Sequence, residues 1–271
     1  MPDTPVGIDP NRSSAARVYD YLLGGKDNYE VDREVAAQLA DAAPGVPLIA
    51  RDNRAWLGRI VRYLAGSLGI DQFLDLGSGL PTVDNTHQIA ARANRNVRVV
   101  YVDYDPVVAA HGKVLLDDQA SSSFVEADLT QPDEVVHHET VVKDLDFERP
   151  IAVLVLATLH NISEEHDQQQ IMRAYIDALP SGSYVAISQI ADPADGSPLS
   201  QKAKDLSAAG LGSAMGTGQL RTHREVVDTF HGLELIEPGL VPPAEWWPDG
   251  PLATPLQDVQ RLVVGAVGRK P

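Results

Sequence analysis

Phe73-Leu74-Asp75-Leu76-Gly77-Ser78-Gly79-Leu80-Pro81-Thr82 is the stretch on which the fold turns. An apolar run ends in Asp-x-Gly-x-Gly, and a loop then leads toward 85–94, which reads as a helix. At the carboxyl end of a parallel strand this is where nucleotide-like ligands sit. Glycines there take positive φ and let the backbone approach a ligand closely. Taken alone, a Gly-x-Gly after a strand is equally the mark of a tight turn.

The surrounding pattern gives the loop its setting. Strands are predicted at 73–76, 97–102, 123–127, 151–157 and 183–190, and helices between them at 85–94, 106–116, 132–138 and 164–179. Strands alternating with helices of this length build βαβ units around a parallel sheet. The unbroken apolar run 151–157 fits a central strand covered on both faces. Before the loop the chain reads as helical. Ser13 or Ser14 caps a helix to Leu23, stopped by Gly24-Gly25. A second helix covers 32–42, and a third covers 48–68 with Ile49, Trp56, Ile60 and Leu64 near helical spacing. After residue 190 the pattern is less regular. A capping box at Thr222 and Glu225 opens a helix to Phe230, and strands are expected at 233–241 and 261–267. Between them lies a Pro-rich loop, 242–255, with Trp246-Trp247. Residues 1–12 read as polar and mobile.

Acids mark the next two strand ends. The second predicted strand ends at Asp103, and an acid there, about 20 residues past a glycine loop, accepts ribose hydroxyls. Asp105 is a rival, but as the residue before Pro106 it reads as a helix N-cap. The third strand ends at Ala127-Asp128-Leu129, where Asp128 either receives the exocyclic amine of an adenine or makes a local turn. A dinucleotide places its pyrophosphate on a helix N-terminus through Gly-x-Gly-x-x-Gly. Here Thr82 stands in place of the third glycine and Pro81 precedes it. S-adenosylmethionine has no phosphate and needs only the close backbone approach, while Asp75 can face its ammonium group. The loop therefore favours S-adenosylmethionine over nicotinamide dinucleotides.

Composition narrows the chemistry further. The chain has 271 residues, no cysteine, 22 Lys and Arg against 38 Asp and Glu, and a net charge of −16. Zero cysteine excludes disulfides, thiolate nucleophiles and Cys-ligated metal. The acidic balance argues against a nucleic-acid grip. No Asn-Pro-Pro-Tyr or Asp-Pro-Pro-Tyr tetrapeptide of the amino-methylating DNA enzymes is present. No basic-then-apolar leader opens the chain and no apolar run reaches the ~20 residues a membrane helix needs, so a cytoplasmic protein with no membrane partner is expected. No metal is expected either: His137-His138 are adjacent on a helix and face different directions.

The order of these motifs is similar to that of the class I S-adenosylmethionine-dependent methyltransferases. More specifically, the chain resembles a bacterial methyltransferase family first catalogued as a domain of unknown function. The resemblance rests on Ala16-Arg17-Val18-Tyr19-Asp20-Tyr21-Leu22-Leu23-Gly24-Gly25-Lys26-Asp27-Asn28-Tyr29, on 72–82 with Asn85-Thr86-His87, on 100–108, on 127–129, on Leu159-His160, and on 232–235 and 238–241. It covers nearly the whole chain. It implies a Rossmann-like α/β fold with a seven-stranded, mostly parallel sheet, an antiparallel final strand, an N-terminal helical cap over 1–68 and a cofactor-binding domain over 69–271. It places the cofactor's amino-acid moiety at Gly77, Ser78 and Gly79, its ribose at Asp103, and its adenine at Asp128 with the Leu129 backbone. Ala157 to His160 would pass under the sulfonium. The Gly24–Tyr29 loop looks like a lid, with Tyr21, Lys26 and Asp27 as candidates for the cofactor's carboxylate and amine. Arg17, Tyr19 and Tyr21 are equally candidates for packing the first helix onto the sheet.

The implied reaction is methyl transfer to a small-molecule oxygen or nitrogen acceptor by direct in-line displacement. His160 is the candidate general base, the alternative being a histidine that bonds nearby backbone. His87 belongs to the start of the glycine-loop helix, where it can touch the cofactor. Asn161 can hold an acceptor or cap a helix, and Trp246-Trp247 can line a substrate or cover the sheet. Residues 191–221 are expected to form the substrate lid. A non-catalytic binder of S-adenosylmethionine or S-adenosylhomocysteine, and a nicotinamide-dependent oxidoreductase, stand as alternatives. Oligomeric state is not legible in the sequence.

Overall fold

The computed structural model describes residues 9–82, 84–116, 120–211, 220–252 and 254–271. Residues 1–8 of the segment read as mobile, and 212–219 of the expected substrate lid, lie outside them.

Among the described residues, three α-helices precede the sheet. α1 (Ala15–Leu23) begins at Ser14, whose side chain accepts the Arg17 N–H, and ends at Gly24 in the left-handed region. α2 (Glu30–Ala42) starts two residues before its predicted position, because Asp32 accepts the Tyr29 N–H and so caps the helix earlier. α3 (Val46–Arg62) is shorter than expected: the last predicted turn is a π-helical turn, Tyr63–Ser67.

β1 (Gln72–Leu76), α4 (Thr86–Ala93), β2 (Arg98–Asp103), α5 (Pro106–Leu116), β3 (Ser122–Glu126) and α6 (Pro132–Val136) follow the predicted alternation. α6 ends early because His138 caps a separate helix, α7 (Glu139–Asp144), by accepting the Thr140 N–H. His138 is thus a capping residue, and among the described residues no group of three or more His, Asp or Glu is arranged to hold a metal. β4 (Ala152–Leu156) leads to a 3-10 turn at Leu159–Asn161 and to α8 (Gln168–Ala178), whose start is fixed by Asp167 accepting the Gln169 N–H. β5 (Tyr184–Asp192), α9 (Pro198–Leu211), β6 (Arg221–Thr222), α10 (His223–Asp228), β7 (Glu234–Leu235) and β8 (Val263–Arg269) complete the chain. The capping box at Thr222 and Glu225 forms as predicted. The strand expected over 233–241 is a correction: only Glu234–Leu235 pair, and Val241 makes an isolated bridge to Gly265. Pro238 offers no N–H to a ladder, and Gly239 turns the chain at φ 80°. α9 was not predicted at all.

The sheet order is β3-β2-β1-β4-β5-β8-β7, seven strands, with the two-residue β6 alongside β5 as an eighth. β1 to β5 run parallel, and β8 runs antiparallel between β5 and β7. The strand order reverses beside β1, which pairs with β2 on one side and β4 on the other. That is the topological switch point where an open α/β sheet receives its ligand.

One sheet face buries Leu74, Val153 and Val155 against Met172 and Tyr175 of α8. The other buries Phe73, Val99 and Leu154 against Trp56 and Ile60 of α3 and Leu64 of the π-helical turn, all of the predicted apolar stripe. Gly265 of β8 makes room for this helix: a β-carbon there would lie 2.7 Å from the Trp56 ring. Trp246 is fully buried, edge-on to Trp56 at 6.1 Å, and its carbonyl accepts from Arg59. It therefore covers the sheet rather than lining a substrate cavity, and Trp247 packs edge-on against Tyr63. α1, α2 and the start of α3 share a third cluster with α9 through Val18, Val35, Leu39, Val46, Ala203 and Leu206.

Candidate active site

The glycine loop is held by main-chain bonds to β2. The Gly77 and Ser78 amides both donate to the Val102 carbonyl, at 2.8 and 3.2 Å. Gly77 and Gly79 take φ of 67° and 66°. Gly77 also has no room for a side chain: a β-carbon would sit 2.3 Å from Cγ2 of Thr158, whose hydroxyl donates to the Leu156 carbonyl at 3.0 Å and lies 3.4 Å from the Gly77 carbonyl. Gly79 has open space instead, with no atom within 4 Å of a β-carbon position. The first glycine thus serves packing and the second leaves its surface bare. Thr158, which lies in the 157–160 segment expected under the sulfonium but was given no role of its own, is what enforces the first.

Two carboxylates flank the loop. Asp103 is buried, with Oδ2 accepting the Gly79 N–H at 2.8 Å and Oδ1 accepting the Asp105 N–H at 2.9 Å. Burial raises its pKa above the usual carboxylate range, and these amide bonds pull the other way. Asp105 caps α5 through the Val107 N–H at 2.7 Å, as its sequence position predicts. Asp75 is buried at the end of β1 and accepts from the Thr86 hydroxyl at 2.8 Å. Burial pushes it up to about 6, against the opposing influence of Thr86 and of the Arg54 guanidinium. Arg54 comes from α3 and donates to the Asp84 carbonyl at 2.6 Å, so the third helix supplies a cation to the loop. No motif marked Arg54 in the sequence.

His87 is buried beside Asp75. Its backbone N–H donates to the Tyr101 hydroxyl at 2.8 Å, and its Nδ1 lies 2.8 Å from the same oxygen. The Tyr101 hydroxyl thus bridges the backbone and the ring of His87. Burial lowers the His87 pKa and raises that of Tyr101.

Asp128 is exposed after β3, with Oδ1 accepting the Thr130 N–H at 2.8 Å in a local turn. The Leu129 carbonyl accepts from the Tyr175 hydroxyl at 2.9 Å. Tyr104, not singled out in the sequence, is 69% exposed, and Asp103, Asp105 and Asp128 together raise its pKa beyond the effect of burial. Its ring therefore stands among the acids of the second and third strand ends.

The fourth strand ends at Ala157, a non-glycine residue with φ 55°. Its N–H donates to the Ser188 carbonyl at 2.9 Å and to the Ser188 hydroxyl at 3.0 Å, and its carbonyl accepts from the Asn161 amide at 3.2 Å. Asn161 thus bonds backbone. His160 Nδ1 accepts the Ile190 N–H at 3.4 Å, and burial pushes its pKa down to about 4.

The loop after α1 is built around Asp20. Its carboxylate accepts from the Asp27 amide at 2.9 Å and from the Asn28 side chain at 2.8 Å, and a β-carbon on Gly25 would strike it. Arg17 is buried against Asp32 at 2.7 Å and lies over the Tyr29 ring, tying α1 to α2. Tyr21, Lys26 and Asp27 are exposed, and among the described residues no side-chain bond joins them to the glycine loop. The N-terminal helices do reach that loop elsewhere: Ala16 of α1 packs with Leu80 and with Val107 and Val108 of α5.

Asp75, Gly77, Ser78, Gly79, Asp103 and His87 therefore form one cluster, with Ala157 beside it through Thr158. Bare backbone at Gly79, a buried acid on either side of the loop and an exposed aromatic ring fit a cationic, hydroxyl-bearing nucleoside. The sheet order is that of the Rossmann-like α/β fold of the class I methyltransferases. The S-adenosyl methyltransferase family model matches residues 2–271, and the chain belongs to that family. Its cofactor is S-adenosylmethionine. Over 100% of this chain it is similar to a crystal structure from Thermobifida fusca YX, with 40% identity, 99% of that chain covered and a TM-score of 0.92. Over 97% it is similar to a DUF574 family protein from Streptomyces avermitilis MA-4680, with 38% identity, 99% coverage and a TM-score of 0.89. PigF, solved with S-adenosylhomocysteine, shares the fold at 16% identity over 88% of this chain and 68% of its own, with a TM-score of 0.50. No curated protein matches this chain. Among the described residues no helix is long and apolar enough to cross a membrane.

Proposed function

We propose that the protein transfers a methyl group from S-adenosylmethionine to a small-molecule oxygen or nitrogen acceptor by direct in-line displacement. The observation that carries the reading is the fixed pair of Gly79 and Asp103, which sets an acid beside bare backbone at the switch point of the sheet. Asp103 would hold the ribose hydroxyls, Asp75 the ammonium, Gly77 to Gly79 the amino-acid moiety, and Asp128 with the Leu129 backbone the adenine. His87, Tyr21, Lys26 and Asp27 complete the proposed cofactor set, with Tyr104 added as a ring against the adenine. The bound cofactor supplies an activated methyl on a sulfonium. The protein's own work is then to align an acceptor at roughly 3 Å and to exclude water. His160, with Nδ1 facing the Ile190 amide, carries its proton on Nε2. In that state it is a donor that orients an acceptor, and a base only after it gives up that bond. The absence of cysteine and the net charge of −16 support a small acceptor over nucleic acid.

Titration calorimetry with S-adenosylmethionine, S-adenosylhomocysteine and NAD(H) tests the cofactor, followed by a panel of small hydroxyl and amine acceptors. Binding of the two sulfur nucleosides with turnover on the panel is expected. A preference for NAD(H) overturns the reading, and tight binding without any transfer makes the protein a binder.

A further inference from the structure

One chain of polar groups, buried at its centre, links the sheet to the N-terminal helices, each group donating to the next in the same direction. The Ala157 N–H donates to the Ser188 hydroxyl at 3.0 Å. That hydroxyl donates to Oδ1 of Asn53 at 2.6 Å. The Asn53 amide nitrogen donates to the Tyr19 hydroxyl at 3.1 Å, which donates to the Ala50 carbonyl at 3.1 Å. Asn53 and Ser188 are 4% and 0% exposed. No solvent replaces a partner at such depth, and a satisfied buried network fixes one arrangement.

What the network fixes is unusual. A residue with a β-carbon keeps left-handed backbone only where its surroundings over-determine it, and such residues cluster at functional sites. Ala157 has φ 55°, with its N–H shared between two oxygens of Ser188 and its carbonyl held by Asn161. Its conformation sets the direction of Thr158, the next residue, whose hydroxyl donates to the Leu156 carbonyl at 3.0 Å and whose methyl fills the space beside Gly77. A continuous path therefore runs from Tyr19 of α1 to the glycine loop.

We propose that Asn53 and Ser188 are positioning residues: they lock the Ala157 backbone and, through Thr158, the seat of the cofactor at Gly77. The proposal rests on the methyl-transfer reading above. It also gives the Tyr19 of the N-terminal signature a role at a distance from the cofactor.

The test compares the wild type with Ser188→Ala, Ser188→Thr and Asn53→Ala. Calorimetry gives Kd for S-adenosylmethionine and for S-adenosylhomocysteine on each protein, and thermal melting gives Tm. With 157–160 under the sulfur, as the resemblance implies, a shifted Ala157 backbone would change the surroundings of the atom at which these two ligands differ. The ratio of the two Kd values should change at least fivefold in Ser188→Ala and Asn53→Ala and stay within twofold of wild type in Ser188→Thr. A lowered Tm with an unchanged ratio overturns the proposal, because the pair is then structural only. If the alanine variants do not fold, the Ala157 amide resonance of the wild type decides. It must shift on saturation with S-adenosylhomocysteine, and an unmoved resonance overturns the proposal. A wild type that binds neither ligand refutes the methyl-transfer reading itself, and the proposal falls with it.

Discussion

The backbone amide of Gly79 donates to Oδ2 of Asp103 at 2.8 Å, across two adjacent strands of the sheet. The loop and the acid are thus built as one object, and the acid's second oxygen is fixed by the Asp105 amide. Asp103→Ala should lose both the proposed ribose contact and the anchor of the loop. Affinity for S-adenosylmethionine should fall at least tenfold by calorimetry. An affinity within twofold of wild type would show that the ribose is held elsewhere.

Asp75 is held at about 6, above its ordinary 3.8, because burial penalises its charge. The folded state therefore takes up this proton before the unfolded chain does, and stability from this group rises as pH falls from about 6 toward 3.8. At pH 7 the buried charge costs of order 3 kcal/mol. Asp75→Asn should raise the urea midpoint at pH 7 and weaken cofactor binding, since the amide cannot pair with an ammonium. In the wild type, cofactor affinity should climb with pH through about 6. A flat affinity from pH 5 to 8 would remove Asp75 from the ammonium site.

His160 has the opposite sign. Its pKa is lowered to about 4 from 6.5, so the unfolded chain binds the proton first and stability is lost as pH falls through 6.5. His160→Gln should flatten the acid limb of the stability profile between pH 6.5 and 4, while Asp75→Asn steepens it. The imidazole resonances of His160 should stay those of a neutral ring at pH 5.5. Titration near 6.5 would restore the residue as a base at working pH.

Gly77 and Thr158 compete for the same space. Gly77→Ala should destabilise the protein by at least about 1–3 kcal/mol, from left-handed strain before any clash. Thr158→Ala in that background should recover part of the loss in urea unfolding. Strict additivity of the two changes would show that they do not meet.

Much of this was legible from residue pattern. The alternation of apolar runs with helical spacings located β1 to β5, and Ser14, Gly24, Asp105 and the Thr222–Glu225 box marked helix ends, because each is a local preference. What stayed hidden is set by distant contacts. α9 has a weak apolar pattern and is held by α2 and by the 258–262 turn, while β7 is cut short by Pro238. In the site, Asp75, Asp103 and the glycines lie in one local motif and were found together. Thr158, Arg54, Asn53 and Ser188 act across the sheet on residues far from them in sequence, and nothing near them in the chain points there. Asp20 stood inside the N-terminal signature, yet only the folded loop shows that its carboxylate is the loop's centre.

The notch that Gly265 leaves for Trp56 also bears on how the chain folds. Helix and strand come from widely separated parts of the sequence, so during synthesis α3 emerges long before the surface that accepts its indole. Until β8 slides in beside β5, the stripe of Trp56, Ile60 and Leu64 is only partly covered and offers a sticky face to other chains. High sequence separation slows such closure, and transiently bared apolar surface invites aggregation. Chaperone dependence and yield on expression should therefore respond to substitutions at Gly265, far from the cofactor, more sharply than to changes in the glycine loop itself.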